Sequence, residues 1–101
     1  MALKLKEKTQ SQWTFLSNHA HVLMVLAQFP DRVLREVAEN VGITERAVQS
    51  IVADLENGGY LKKEKVGRAN RYKLSVKKPL RHPVEAHRSV EDLIKMIVPQ
   101  N

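Results

Sequence analysis

The run from Leu34 to Leu55, LREVAENVGITERAVQSIVADL, restricts the fold more than any other part of the chain. Val37 and Val41 mark the apolar side of one helix, and Ala38 beside them is small enough for a second helix to approach closely. Gly42 follows the last apolar position, where a left-handed backbone is cheapest for glycine. Ile43 then plugs the corner. Thr44 is a good N-cap for a second helix, and Glu45 in its first turn suits the positive end of the helix dipole. Val48, Ile51, Val52 and Leu55 recur at the spacing of one buried helical face. The opposite face carries Glu45, Arg46, Gln49, Ser50 and Ala53. Two helices joined by a tight turn are expected, the second with one side left open.

A chain of 101 residues is one small domain. Chains of this size bury roughly 60–68% of their unfolded surface, so the core is limited. The absence of cysteine excludes a disulfide frame, a zinc ribbon and a thiol nucleophile. The opening MALKLKEKTQ is charged and has no apolar signal core, and no apolar run approaches the roughly 18 residues of a membrane span. A soluble, cytoplasmic protein with no membrane partner is expected.

The formal charge is +6, and its distribution says more than its sum. Residues 62–81 hold Lys62, Lys63, Lys65, Arg68, Arg71, Lys73, Lys77, Lys78 and Arg81 against only Glu64, a net +8. The rest of the chain nearly cancels. A mixed surface would be the ordinary expectation, and this concentration points to a polyanion, with nucleic acid first among them.

In chain order, residues 1–11 lack an apolar period and read as a mobile basic arm or a helix ordered only by a partner. Trp13, Phe15 and Leu16 supply three large apolar groups, expected in the core or a dimer contact. Ser17 caps a helix from about Asn18 to Phe29, stopped by Pro30 and apolar on several sides through Val22, Leu23, Val25, Leu26 and Phe29. Asp31 to Val33 is a short connector or one extended strand. The helix after Gly42 ends at Asn57-Gly58-Gly59. Tyr60 to Val66 then reads as a strand and Arg71 to Val76 as its return, with Tyr72, Leu74 and Val76 inward and the cations outward. Gly67 to Asn70 forms the hairpin tip. Lys77 to Pro83 is a loop, and a last helix runs from about Val84 to Val98 with Val90, Leu93, Ile94 and Ile97 along one side.

The segments LREVAENVGITERAVQSIVADLENGGYL and VGRANRYKL carry a resemblance to winged helix-turn-helix transcriptional regulators, the MarR/ArsR-like group, over roughly residues 18–76. The fold class expected is mainly α with a small β-hairpin: a three-helix core, a wing and a C-terminal helix. The domain then divides into the arm at 1–11, the winged helix-turn-helix at 12–78, and a loop and dimerisation helix at 79–101. The resemblance implies a homodimer on a pseudo-palindromic operator, acting as a repressor, with the third helix in the major groove and the wing near the flanking minor groove. MarR-type proteins build a long helical dimer platform around a ligand cleft. This chain has only a short tail, so a small-molecule effector is not expected.

On that reading Arg46, Gln49 and Ser50 are the base-contacting set, because arginine pairs bidentately with guanine and glutamine with adenine. Thr44, Lys62, Lys63, Lys65, Arg71 and Lys73 serve the phosphates. Arg68 at the hairpin tip enters the minor groove, where the potential is most negative. Glu45 is a cap or dipole residue, Asn70 a turn former and Tyr72 inner packing. Trp13, Phe15, Val90, Leu93, Ile94 and Ile97 form the expected dimer surface. His82, Glu85, His87 and Glu91 lie around the start of the last helix as potential metal ligands, but only His87 and Glu91 have good helical spacing and no thiolate is present, so neither metal nor cofactor is expected. No nucleophile–base arrangement, phosphate loop or carboxylate pair supports catalysis. The competing readings are a winged helix serving as a protein–protein module and a weakly specific architectural DNA binder. RNA binding is disfavoured by the lack of aromatic platforms.

Overall fold

Residues 13–99 are described in a computed structural model, so the expected basic arm at 1–11 lies outside the described residues. The first helix, α1 (Asn18–Gln28), begins where the Ser17 hydroxyl accepts the Ala20 N–H at 3.2 Å. It buries Val22, Leu23, Met24 and Leu26, which occupy more than one side of the cylinder. This is the helix the others surround. Phe29 does not extend it into the core as expected. The chain turns at Pro30, and the ring of Phe29 lies partly exposed beneath the Arg32 guanidinium, 3.7 Å from the ring centre.

No strand forms at Asp31 to Val33. One bond does what a strand would have done: the Tyr72 N–H donates to the Pro30 carbonyl at 3.0 Å and ties this connector to the hairpin. The second helix, α2 (Leu34–Val41), buries Val37, Ala38 and Val41. Gly42 takes φ of 90°, and its N–H and that of Ile43 both donate to the Ala38 carbonyl. That left-handed step turns the chain into α3 (Glu45–Asn57). The Thr44 hydroxyl accepts the Ala47 N–H at 3.0 Å, as a cap should. Val48, Ile51, Val52 and Leu55 are buried against α1 and α2.

The end of α3 is closed by a Schellman arrangement. The Tyr60 N–H reaches back to the Leu55 carbonyl at 2.8 Å and the Gly59 N–H to Glu56 at 3.0 Å, with Gly59 at φ of 82°. Tyr60 and Leu55 are both buried, which supplies the apolar contact that accompanies this motif. Strands β1 (Leu61–Val66) and β2 (Ala69–Leu74) follow as one antiparallel pair. The four helices and this hairpin make one mixed α/β body with a single apolar core. Among the described residues no helix is long and apolar enough to cross a membrane.

The last helix differs most from expectation. It is α4 (Val90–Ile97), six residues shorter at its start than the apolar pattern suggested. The backbone around it is committed elsewhere: the Val90 N–H donates to the Lys78 carbonyl, the Glu91 N–H to that of Val76, and the Leu80 N–H to that of Arg88, each at 2.9 Å. Those bonds pair the chain before and after residues 81–87 and hold that stretch as a loop. Ser89 and Asp92 then start the helix with a reciprocal capping box. The backbone N–H of Ser89 holds the Asp92 carboxyl below its ordinary range. Val90, expected at a dimer surface, is only 1% exposed and sits in the chain's own core, with Leu93 and Ile94 packed partly against it. Apolar burial within one chain takes precedence because α4 is tethered beside α1. Met96 (70% exposed) and Ile97 remain at the surface.

Val90→Ala should therefore cost about 2 kcal/mol of folding stability, whereas Met96→Ala should stay within about 0.5 kcal/mol. Urea denaturation distinguishes them, and equal effects would show that α4 is not docked as described.

Candidate nucleic-acid interface

Because α3 buries only one stripe, its other side stays open over its whole length. Glu45, Arg46, Gln49, Ser50 and Ala53 are all exposed. Arg46, Gln49 and Ser50 stand one helical turn apart in the first half of the helix, the spacing at which side chains share a face. Among the described residues their side chains make no hydrogen bond or ion pair, so their donors and acceptors are available to a ligand. Thr44 is partly used, since its oxygen accepts the cap bond while its own hydroxyl proton remains to be donated. Further along, Asp54 is held by His19 of α1 at 2.8 Å. No sequence spacing could have shown that tie, because the two residues are 35 positions apart.

The hairpin register decides where its cations point. Leu61 pairs with Leu74, Lys62 with Lys73, Lys63 with Tyr72, Glu64 with Arg71 and Lys65 with Asn70. Directly opposed residues share a face. Lys63, Lys65 and Asn70 therefore lie on the side of buried Tyr72, whose hydroxyl burial holds above its ordinary pKa, with Glu56 of α3 adding to the shift. Lys62, Lys73 and Arg71 lie on the other side. The expectation that the aliphatic side faces in and the cations out holds for β2, but β1 distributes its lysines over both faces. Lys63 and Lys65 stay exposed because the hairpin projects beyond the helices.

The tip is tighter than expected. Val66 pairs with Ala69, so only Gly67 and Arg68 form the turn, and Asn70 is a strand residue rather than a turn former. Gly67 has φ of 63° and Arg68 does not have positive φ, the pattern of a type II′ turn. That turn matches the right-handed twist of the strands and carries Arg68 at the outermost point. Val66, beside it, is exposed and was not anticipated as part of the tip.

Several cations of the basic segment have internal partners. Arg71 lies 3.6 Å from Asp31, an exposed pair that leaves it readily exchanged for another anion. Lys77 bonds Glu91 at 2.9 Å, which raises the lysine pKa and lowers that of the carboxyl. Lys78 sits over the Tyr60 ring at 5.2 Å. For Lys62, Lys63, Lys65, Arg68 and Lys73 there is no ion pair among the described residues. They leave the hairpin strongly positive.

Away from these elements, Trp13 (71% exposed) and Phe15 (93%) stack edge to face, 5.0 Å between ring centres, with most of their surface in solvent. An open groove of about 470 Å³ runs between the end of α1, β2 and α4, lined by Leu26, Pro30, Arg71, Leu74 and Ile94 among others. Among the described residues no three acidic, histidine or cysteine side chains converge as metal ligands would. No protein-family model matches the sequence, and no curated protein matches it.

A Cβ on Gly67 would meet nothing within 4 Å, so only its backbone angle demands glycine. Gly67→Ala should lower stability by about 1–2 kcal/mol through left-handed strain alone. Thermal denaturation checks this, and an unchanged midpoint would mean that the turn relaxes to another type.

Proposed function

We propose that this chain is a winged helix-turn-helix regulator that binds double-stranded DNA sequence-specifically as a homodimer and represses transcription by occlusion. The observation that carries the reading is the open first half of α3, where Arg46, Gln49 and Ser50 stand exposed and unpaired beside a hairpin crowded with cations. A capped helix with one buried stripe is a rigid rod, and its N-terminal half is the part of a recognition helix that reaches base edges. Arg46 would take guanine bidentately and Gln49 adenine, with Ser50 completing the base-contacting set.

The rest of the surface would position that helix. Thr44 would donate its hydroxyl proton to a phosphate, and Lys62, Lys63, Lys65, Arg71 and Lys73 would contribute the salt-dependent part of the affinity. Arg71 would exchange Asp31 for a phosphate oxygen. Arg68, at the point of a two-residue turn, is narrow enough to enter a minor groove. In a two-fold dimer the two α3 helices would occupy successive major grooves about 34–36 Å apart. Bound there, the protein would cover the duplex and exclude other proteins from it.

Arg46→Ala should cost about 1–3 kcal/mol on the preferred sequence and much less on random duplex. Fluorescence anisotropy on duplex selected from a random pool measures both, and equal losses would sink the base-reading role. The same titration against a scrambled sequence tests specificity itself.

The dimer surface is proposed at Trp13 and Phe15 with Ile97, because these are among the large apolar groups left in solvent. The double variant Trp13→Ser/Phe15→Ser should convert a dimer to a monomer in light scattering while keeping its circular dichroism. A wild-type chain that is already monomeric at high concentration would overturn the dimer.

A further inference from the structure

Beyond α3 and the hairpin, the chain builds a second cationic feature that the proposed binding surface does not use. Residues 81–88, Arg-His-Pro-Val-Glu-Ala-His-Arg, are all exposed. A loop that buries nothing would ordinarily be left loose, because ordering it costs conformational entropy with no apolar return. This one is tightly constrained. Pro79 bridges Ser89, and the Leu80 N–H bonds the Arg88 carbonyl at 2.9 Å, closing its mouth. Inside, the Glu85 N–H bonds the His82 carbonyl and the Arg88 N–H that of Glu85, both at 2.9 Å. The Nδ1 atom of His82 accepts the Val84 N–H at 3.1 Å, so that imidazole shapes the turn rather than facing a ligand.

What the constrained backbone presents is charge. Closing the mouth at Leu80 and Arg88 sets Arg81 and Arg88 at the two ends of this loop, with Glu85 the one acid among residues 81–88. Among the described residues neither arginine side chain has a hydrogen bond or ion pair, although the charge of Arg88 contributes to the lowered pKa of Asp92. The loop is also continuous with the hairpin. The chain from β2 runs through Ser75, whose N–H bonds the Tyr60 carbonyl, and on to Pro79, whose carbonyl receives the Tyr60 hydroxyl. The basic hairpin tip and the arginine-flanked loop thus lie at the two ends of one run of chain anchored on Tyr60.

We propose that the loop at 81–88 is a second phosphate-binding element, engaging a nucleic-acid backbone through the guanidinium groups of Arg81 and Arg88. Two planar forks on a rigid loop suit phosphate oxygens, which accept paired N–H bonds. The contact carries no sequence information: it adds affinity and salt dependence while α3 supplies selectivity. The inference rests on the DNA-binding reading above.

The test is a salt titration of binding to a long duplex by the wild-type chain, Arg81→Ala/Arg88→Ala and Lys65→Ala. Each phosphate contact contributes about 0.9 to the slope of log K against log salt, so the double alanine variant should lose about 1.8 from it. Its affinity should fall equally on preferred and scrambled sequences, and Arg81→Lys/Arg88→Lys should restore most of the slope. An unchanged melting temperature confirms that the loop substitutions act on binding. If Lys65→Ala reduces the slope while the loop variant keeps it, the loop inference falls and the DNA reading stands. A wild-type chain without salt-dependent binding would overturn both.

Discussion

Everything that follows α3 hangs on Tyr60. Its N–H closes the end of α3 on Leu55, its carbonyl receives Ser75 after the hairpin, and its hydroxyl donates to Pro79 at 2.7 Å. The ring is buried, and Lys78 covers it. One residue therefore fixes the exit from the third helix, the base of the hairpin and the strand-like segment leading to α4. Without the left-handed Gly59 the backbone could not bring Tyr60 into this position, and its polar groups would lose partners inside the core.

That anchor has a consequence for electrostatics. The helical part of the chain is slightly acidic and the segment after Tyr60 is strongly basic, so the fold keeps its cations on elements that leave the core. The hairpin places them on both of its faces because a β-strand alternates, and the limited core cannot cover either face near the tip. Arg71 and Lys77 show the other outcome. Where an acid from a helix or connector comes within reach, as Asp31 and Glu91 do, the cation is partly neutralised. The cations left without such a partner, Lys62, Lys63, Lys65, Arg68 and Lys73, run along the hairpin from its base to its tip.

Local signals were legible wherever one residue type dominates a backbone choice. Ser17 and Thr44 as caps, Gly42 as the turn, and the stripe Val48, Ile51, Val52 and Leu55 could each be read directly, and each is where it was expected. Ser89 and Asp92 carried an equally plain capping-box signal. The apolar period beginning near Val84 masked it, which moved the expected start of α4 too early. The hairpin tip is shorter than its residues suggest for a related reason: Asn70 favours turns, but pairing with Lys65 in the ladder outweighs that local preference.

The sequence by itself determined the order of elements, the inward stripe of α3 and the segregation of charge, because these depend on neighbours within a few residues. The tertiary structure alone decided that Val90 enters the core, that Pro30 meets Tyr72, that His19 holds Asp54, and that the loop at 81–88 is closed at its mouth. Those contacts join residues far apart in the chain. Their formation depends on which apolar surfaces remain open once α1, α2 and α3 have packed, and no local pattern of residues encodes that remainder.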